Sequence, residues 1–262
     1  MSQSISTLFD LSGKSALVTG GSRGLGLQIA TALGEAGATV MLCARKQEEL
    51  DQAVACLSQQ GINAQAIQAD LSDPSQIHHV CETSMSALGQ IDILVNNAGA
   101  SWGAAAEDHS LEAWDKIMNL NVRSLFLMCQ AVANASMIQR KSGRIINLAS
   151  ISGLGGSTEA RYIAYGTSKG AVVNFTRTLA AEWGRYGINV NAIAPGFFHS
   201  KMTRGLIDEL GESAMASKAP LQRLGDKDDL KGAALLFASD AGKHITGQIL
   251  AVDGGVSAVV PV

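Results

Sequence analysis

Two tyrosines and a lysine, Tyr162, Tyr165 and Lys169, lie close together in the stretch RYIAYGTSKGA. A free phenol titrates near about 10, too high for efficient proton exchange at neutral pH. A cation beside it favours the phenolate and lowers that value. Tyr165 and Lys169 stand four apart in a stretch of helical pattern and so share one face, whereas Tyr162 lies about two turns from the lysine. Spacing favours Tyr165 as a general acid and base, with Tyr162 as the alternative.

A second set of residues suits an anion. TGGSRGLG, from Thr19 to Gly26, follows an apolar run and opens a helical one. Gly20 permits a tight turn, Gly24 lets backbone approach a pyrophosphate, and Gly26 lets the helix pack closely on the preceding strand. The N–H groups of Ser22 to Gly26, Leu25 included, then meet the anion at the positive helix end. After the next apolar run, MLCARKQ places Ala44 where a carboxylate would bind a ribose diol, and Arg45 and Lys46 follow it. With Arg23 these make three cations and no carboxylate, a set that grips a phosphate and predicts NADP(H), with NAD(H) left open. Asp70, followed by Leu71, ends a further run and either caps a turn or meets the adenine. Asn97, Ala98 and Gly99 of NNAG are expected to line the same cleft.

These groups need a frame. Short β-rich runs at 15–21, 38–44, 63–70, 91–99, 143–150, 187–196 and 247–255 alternate with helical stretches. The runs are continuously apolar, which implies burial on both faces and a parallel sheet. The fold class expected is α/β: a doubly wound parallel sheet (Rossmann fold) of about seven strands with helices on both faces. No repeat or linker divides the chain, so residues 1–262 are expected to form one domain, with 1–10 as an extension. Residues 197–225 read as a loop-like substrate lid after a strand end.

The 262 residues are 47% hydrophobic and 16% charged, with a formal net charge of −3, which gives no reason to expect nucleic acid or an anionic membrane as partner. The start has no signal-peptide layout and no apolar run approaches membrane length, so a cytoplasmic home is expected. The four cysteines and five histidines show no metal-ligand spacing, and the thiols are read as inert.

Together, Thr19-Gly20-x3-Gly24-x-Gly26, Asn96-Asn97-Ala98-Gly99, Ser150, Tyr165-x3-Lys169 and Pro195-Gly196 resemble the short-chain dehydrogenase/reductase family, from about Leu11 to Gly255. The resemblance implies that Tyr165 is the acid/base of hydride transfer and that Lys169 lowers its pKa and holds the nicotinamide ribose. It implies that Ser150 binds the substrate carbonyl and that Asn121 holds a water in a proton relay. Ser152 competes with Ser150, and Asn119 with Asn121; the alignment of NLASISG on Gly153 selects Ser150. Pro195, Gly196, Phe198 and Ser200 would face the nicotinamide carboxamide. Relatives suggest a homotetramer or homodimer built on helices beginning near Leu111 and Ala164.

The partner expected is a small carbonyl or alcohol. Trp102, Tyr162, Phe197 and Met202 are the expected substrate wall, and His199, Lys201 and Arg204 could receive an anion. Members of the family suggest a 3-oxoacyl thioester, with a gluconate-like sugar acid as alternative. Tyr186, where carrier-protein reductases have an arginine, weakens the first. A non-catalytic NADP-binding sensor or scaffold is the reading from another class.

Overall fold

The computed structural model describes residues 3–156 and 161–259. Seven parallel strands form one sheet: β1 (Ser15–Thr19), β2 (Thr39–Ala44), β3 (Ala64–Gln68), β4 (Ile93–Asn96), β5 (Gly143–Leu148), β6 (Ile188–Pro195) and β7 (Ile249–Val252), in the order β3-β2-β1-β4-β5-β6-β7. The helices are α1 (Ile5–Phe9), α2 (Gly24–Glu35), α3 (Gln47–Gln59), α4 (Ser75–Leu88), α5 (Leu111–Met118), α6 (Ser124–Val132), α7 (Ile138–Arg140), α8 (Ile163–Trp183), α9 (Lys201–Leu210), α10 (Glu212–Ala216) and α11 (Lys231–Ala238).

Each inner strand feeds two cores. Leu17, Met41, Cys43 and Leu94 pack with Val80 of α4, Met128 of α6 and Val172 of α8. Ala16, Val18, Val40, Leu42, Ile93 and Val95 pack on the opposite face with Ile29 of α2, Leu50 of α3 and Phe237 of α11. Successive side chains of a strand point to opposite faces, so a sheet covered on both sides needs apolar residues throughout. That is why β1 is buried at all five positions. The outer strands depart from the expected continuous burial. Gln65 and Gln68 of β3 and Leu250 of β7 are exposed, because an edge strand has a neighbour on one side only.

The strand order reverses between β1 and β4, where β1 lies between β2 and β4. In such sheets the crevice beyond the carboxyl ends at this reversal is where ligands bind. Residues 197–225 are not the loop expected from their mixed charge, since they contain α9 and α10. Ser200 caps α9, its Oγ accepting from Thr203 N while Ser200 N donates to Thr203 Oγ1, which satisfies two otherwise orphaned donors. The excursion is closed at its base. Phe198 and Gly225 form a bridge, Gly225 N donates to Phe197 O at 2.8 Å, and the Phe198 ring fills the place of a Gly225 side chain.

Among the described residues, no helix is long and apolar enough to cross a membrane, and no cluster of three or more His, Cys, Asp or Glu could hold a metal ion. Burial pushes the thiols of Cys43 and Cys129 up to about 12, and Cys56 is exposed.

Candidate active site

A cleft of about 930 Å³ runs along the carboxyl ends of the strands, from the glycine turn to the 197–225 excursion. Gly20, Ser22, Arg23, Gly24 and Leu25 line one end, with Arg45, Lys46, Asp70 and Leu71; Asn97, Ala98 and Gly99 follow, then Ser150, Tyr165 and Lys169, then Pro195, Gly196, Phe198 and Ser200.

The glycine turn is held from beneath. Gly20 and Gly24 have φ of +62° and +55°, conformations that a side chain disfavours. Asn97 Nδ2 donates to Thr19 O at 3.0 Å and to Gly20 O at 2.9 Å. Thr19 Oγ1 accepts from Asn97 N and Ala98 N at 3.0 and 3.1 Å. A Cβ on Gly26 would run into Asn97 Nδ2 and Gly20 O, so Gly26 does not line the cleft but lets α2 close on the turn. The result is a backbone cradle at the start of a twelve-residue helix, which suits the pyrophosphate of a dinucleotide.

The 2′ end of that cradle differs from the sequence expectation. The cations are present, but they are not free of carboxylate. Glu49, in the first turn of α3, pairs with Arg23 Nη1 at 2.8 Å and Lys46 Nζ at 3.4 Å, and Ser22 Oγ donates to it at 3.4 Å. The end of β2 carries no acidic group, and Glu49 comes from the first turn of the helix after it. Its place three residues after Lys46, on the same helix face, was the available signal. Asp70 does cap a turn, accepting from Ser72 N and Ser72 Oγ at 3.0 and 2.7 Å, while still lining the cleft.

At the middle of the cleft, Tyr165 is hydrogen-bonded with Ser150, and Ser150 Oγ also accepts from Ser152 N at 3.1 Å. Thus Ser150, rather than Ser152, faces the phenol. Tyr162 stacks edge-on against Tyr165, with ring centroids 5.8 Å apart. Lys169 lies over the Tyr165 ring at 5.7 Å, its Nζ donating to Leu148 O at 2.6 Å. Burial raises the Tyr165 phenol above its ordinary value; the Ser150 bond works against this and Tyr162 adds to it. Lys169 is not among the groups that act on the phenol here. Its ammonium is aimed at the Leu148 carbonyl of β5, and desolvation is the largest influence on the phenol.

Burial also brings Lys169 down to about 8 from the ordinary 10.5. Its charged form is therefore disfavoured in the fold. The unfavourable contribution is complete at neutral pH and is relieved as pH rises from 8 towards 10.5, where the unfolded chain holds more protons. Lys169→Met should accordingly gain stability relative to the unsubstituted protein at pH 7 and lose that advantage by pH 10, a swing of about 3 kcal/mol. Urea unfolding of both proteins across this range checks it; a difference independent of pH would refute it.

Asn121 sits in a π-helical turn, Asn119–Arg123, between α5 and α6. Its Oδ1 accepts from Ala100 N, and its Nδ2 donates to Ala100 O and Ser168 Oγ, all at 2.9 Å. Both amide hydrogens are thus committed to clamping the loop after β4 onto α8, one residue from Lys169. The Ser200 hydroxyl is committed to capping α9.

The expected aromatic substrate wall does not line the cleft. Trp102 is 53% exposed, and neither Tyr162 nor Phe197 is part of the lining; the side chain of Met202 lies outside the described residues. Backbone pairing ties Ala104 to Tyr162, whose ring rests against Tyr165, and Phe197 O accepts from Gly225 N at the closed base of the 197–225 excursion. The lining there is mostly polar: His199, Lys201, Thr203, Arg204, Asp208 and Glu212, with Phe198 and Ile207 among them. The spacing of Lys201 and Arg204 on α9, three apart after a capping serine, was the sequence signal for this face.

A family model described as enoyl-(acyl carrier protein) reductase matches residues 20–257. Gluconate 5-dehydrogenase of Gluconobacter oxydans is 40% identical over 253 residues, 95% of this chain and 97% of that protein. The rhamnolipids biosynthesis 3-oxoacyl-[acyl-carrier-protein] reductase of Pseudomonas aeruginosa is 41% identical over 251 residues, 94% and 97% of the two chains. A crystal structure of a gluconate 5-dehydrogenase from Burkholderia cenocepacia, in complex with NADP and tartrate, superposes with a TM-score of 0.92 at 34% identity, covering 98% of this chain and 100% of that one. With this fold, these matched residues and these relatives, the chain belongs to the short-chain dehydrogenase/reductase family.

Proposed function

We propose that this chain is an NADP(H)-dependent oxidoreductase that interconverts a ketone and a secondary alcohol. The observation that carries the reading is the Ser150–Tyr165–Lys169 group, placed inside one cleft that begins at a dinucleotide-shaped cradle. NADP(H), when bound, supplies or accepts the hydride. Gly20, Ser22, Gly24 and Leu25 hold the pyrophosphate, with Gly26 closing the turn; Arg45, Arg23 and Lys46 meet the 2′-phosphate, and Asp70 and Leu71 the adenine. Asn97, Ala98 and Gly99 border the middle of the dinucleotide, Lys169 holds the nicotinamide ribose, and Pro195, Gly196, Phe198 and Ser200 border its carboxamide. Ser150 donates a hydrogen bond to the substrate oxygen. Tyr165 gives that oxygen a proton in reduction and takes it back in oxidation. Asn121 keeps the loop after β4 and α8 in register.

Two features favour a small anionic, hydroxylated ketone as substrate. The lining from α9 carries Lys201 and Arg204 with none of Trp102, Tyr162 and Phe197, while His199 Nε2 faces Glu212 Oε1 at 3.3 Å. A relative 37% identical over 255 residues, from Escherichia coli, is a 5-keto-D-gluconate 5-reductase. A 3-oxoacyl thioester is the second reading, supported by the 41% identity to the Pseudomonas protein. The test is NADPH oxidation by the purified protein with 5-keto-D-gluconate and with acetoacetyl-CoA. Faster turnover of the keto acid is expected; preference for the thioester reverses the substrate reading, and no turnover of any ketone defeats the whole proposal.

The cofactor reading has its own outcome. Arg45 is exposed in the lining and has no ion pair among the described residues, so it is the cation most available to a phosphate. Arg45→Asp should lower kcat/KM for NADPH by about 10- to 100-fold, the range of one lost charge-assisted contact, and spare NADH. Equal use of NADPH and NADH by the unsubstituted protein would overturn it.

A further inference from the structure

Glu49 occupies the place where a dinucleotide's 2′ substituent would be read. Its carboxylate bridges two pieces of chain: Arg23 and Ser22 of the glycine turn, and Lys46 at the start of α3. All four residues line the cleft, so this internal ion cluster faces the ligand and does not stand behind it. Arg23 and Lys46 are largely exposed, while the Glu49 side chain is 26% exposed and is the fixed member. We infer that Glu49 is a specificity residue: it holds Arg23 and Lys46 as an internal anion, and must yield them when a 2′-phosphate enters. It therefore weakens NADP(H) relative to what the three cations would supply, and leaves a carboxylate near the 2′ position where NAD(H) carries a hydroxyl. This inference rests on the proposed reading of the cleft as an NADP(H) site.

Physical chemistry supports an exchange over a permanent block. Partly exposed ion pairs are weak, so surrendering them to a doubly charged phosphate is favourable. The carboxylate remains nearby after the exchange and repels the phosphate, an effect that salt screens. Glutamine keeps the size and an acceptor for Arg23 while removing the charge. A ribose hydroxyl can donate to a carboxylate or to the glutamine oxygen, so NADH binding has little reason to improve.

The test is equilibrium binding to the full-length protein, read by fluorescence or calorimetry with no substrate. NADPH, NADH, adenosine 2′,5′-bisphosphate and adenosine 5′-monophosphate are each titrated into the unsubstituted protein, Glu49→Gln and Glu49→Asp. Glu49→Gln should tighten NADPH and the bisphosphate by about three- to tenfold, with NADH and the monophosphate unchanged or weaker. NADPH affinity should also fall more steeply with salt in Glu49→Gln, because the site has lost its own counter-charge. Glu49→Asp, with a shorter reach to Arg23, should lie between, and provides the readout should the glutamine variant fail to fold.

Weaker NADPH binding in Glu49→Gln would show that Glu49 positions Arg23 for the phosphate, and a parallel change in both cofactors would show a structural role; either overturns the inference. If the unsubstituted protein binds neither dinucleotide, the proposed function itself fails. If it binds NADPH and both Glu49 variants match it, only the inference fails.

Discussion

Tyr165→Phe should lower kcat for carbonyl reduction by about three to four orders of magnitude while NADPH binds almost as before. The substitution removes one hydroxyl and leaves the ring, so packing against Tyr162 and Lys169 is kept. What is lost is the proton and the hydrogen bond with Ser150. Hydride transfer to a carbonyl without a proton donor leaves an alkoxide, and water in a buried cleft is a poor substitute. Tyr162→Phe is the matched control, since it stacks on the same ring but does not line the cleft. It should retain most turnover. Its hydroxyl is one influence that raises the Tyr165 pKa, so removal should shift the basic side of the pH–rate profile slightly downward. Stopped-flow absorbance with saturating NADPH separates the two variants; exchanged outcomes would move the acid to Tyr162.

The second large effect is expected at a residue with no functional group. Gly153 closes the short turn Ile151–Gly153 that follows Ser150, and that turn rests on the backbone of α8. A Cβ at Gly153 would lie 2.5 Å from Lys169 C and 2.6 Å from Lys169 O. Neither atom belongs to a side chain that can swing away. Gly153→Ala must therefore push the Ser150 turn off the helix that carries Tyr165 and Lys169. A displacement of about 1 Å between reacting groups is worth about 100-fold in rate. The expectation is a fall in kcat of that order, with the dinucleotide cradle on α2 untouched and NADPH affinity within about twofold, under 0.5 kcal/mol. Activity close to that of the unsubstituted protein would show that the turn and α8 are not rigidly coupled. Loss of NADPH binding would show that the damage spreads past the turn.

Much of the fold could be read from the chain because parallel α/β sheets leave a strong pattern. All seven strands lie within the apolar runs, and the paired glycines with positive φ fall at the turn expected after β1. The site was legible where chemistry follows from spacing, as with Tyr165 and Lys169, or from an ordered motif, as with Ser150. Three things were not legible, for three different reasons. Glu49 reaches from the first turn of α3 to Arg23 in a turn formed earlier in the chain; the spacing from Lys46 marks one of its pairs, but no local pattern records the one with Arg23. The direction of the Tyr165 shift depends on burial, and a sequence shows the neighbouring ammonium but not the surrounding density. The helices α9 and α10 carry Gly205 and Gly211 within and between them, and Ser200 and Thr203 together form a cap that resembles an ordinary polar loop.

The closed base of the lid has an evolutionary consequence. Phe198 and Gly225 join the two ends of the excursion, and a second tie runs from Leu221 N to Gly254 O at 3.1 Å just after β7. Thr203 Oγ1 donates to Phe198 O, so the cap of α9 belongs to the first tie. The cleft-facing stretch from Arg204 to Glu212, between the two ties, is the part that can be rewritten with least effect on the strands and the hydride-transfer group. The stretch is in effect an exchangeable cassette. A lineage can change the molecules it accepts by drift within that cassette alone, while Ser150, Tyr165 and Lys169 stay where the sheet has put them.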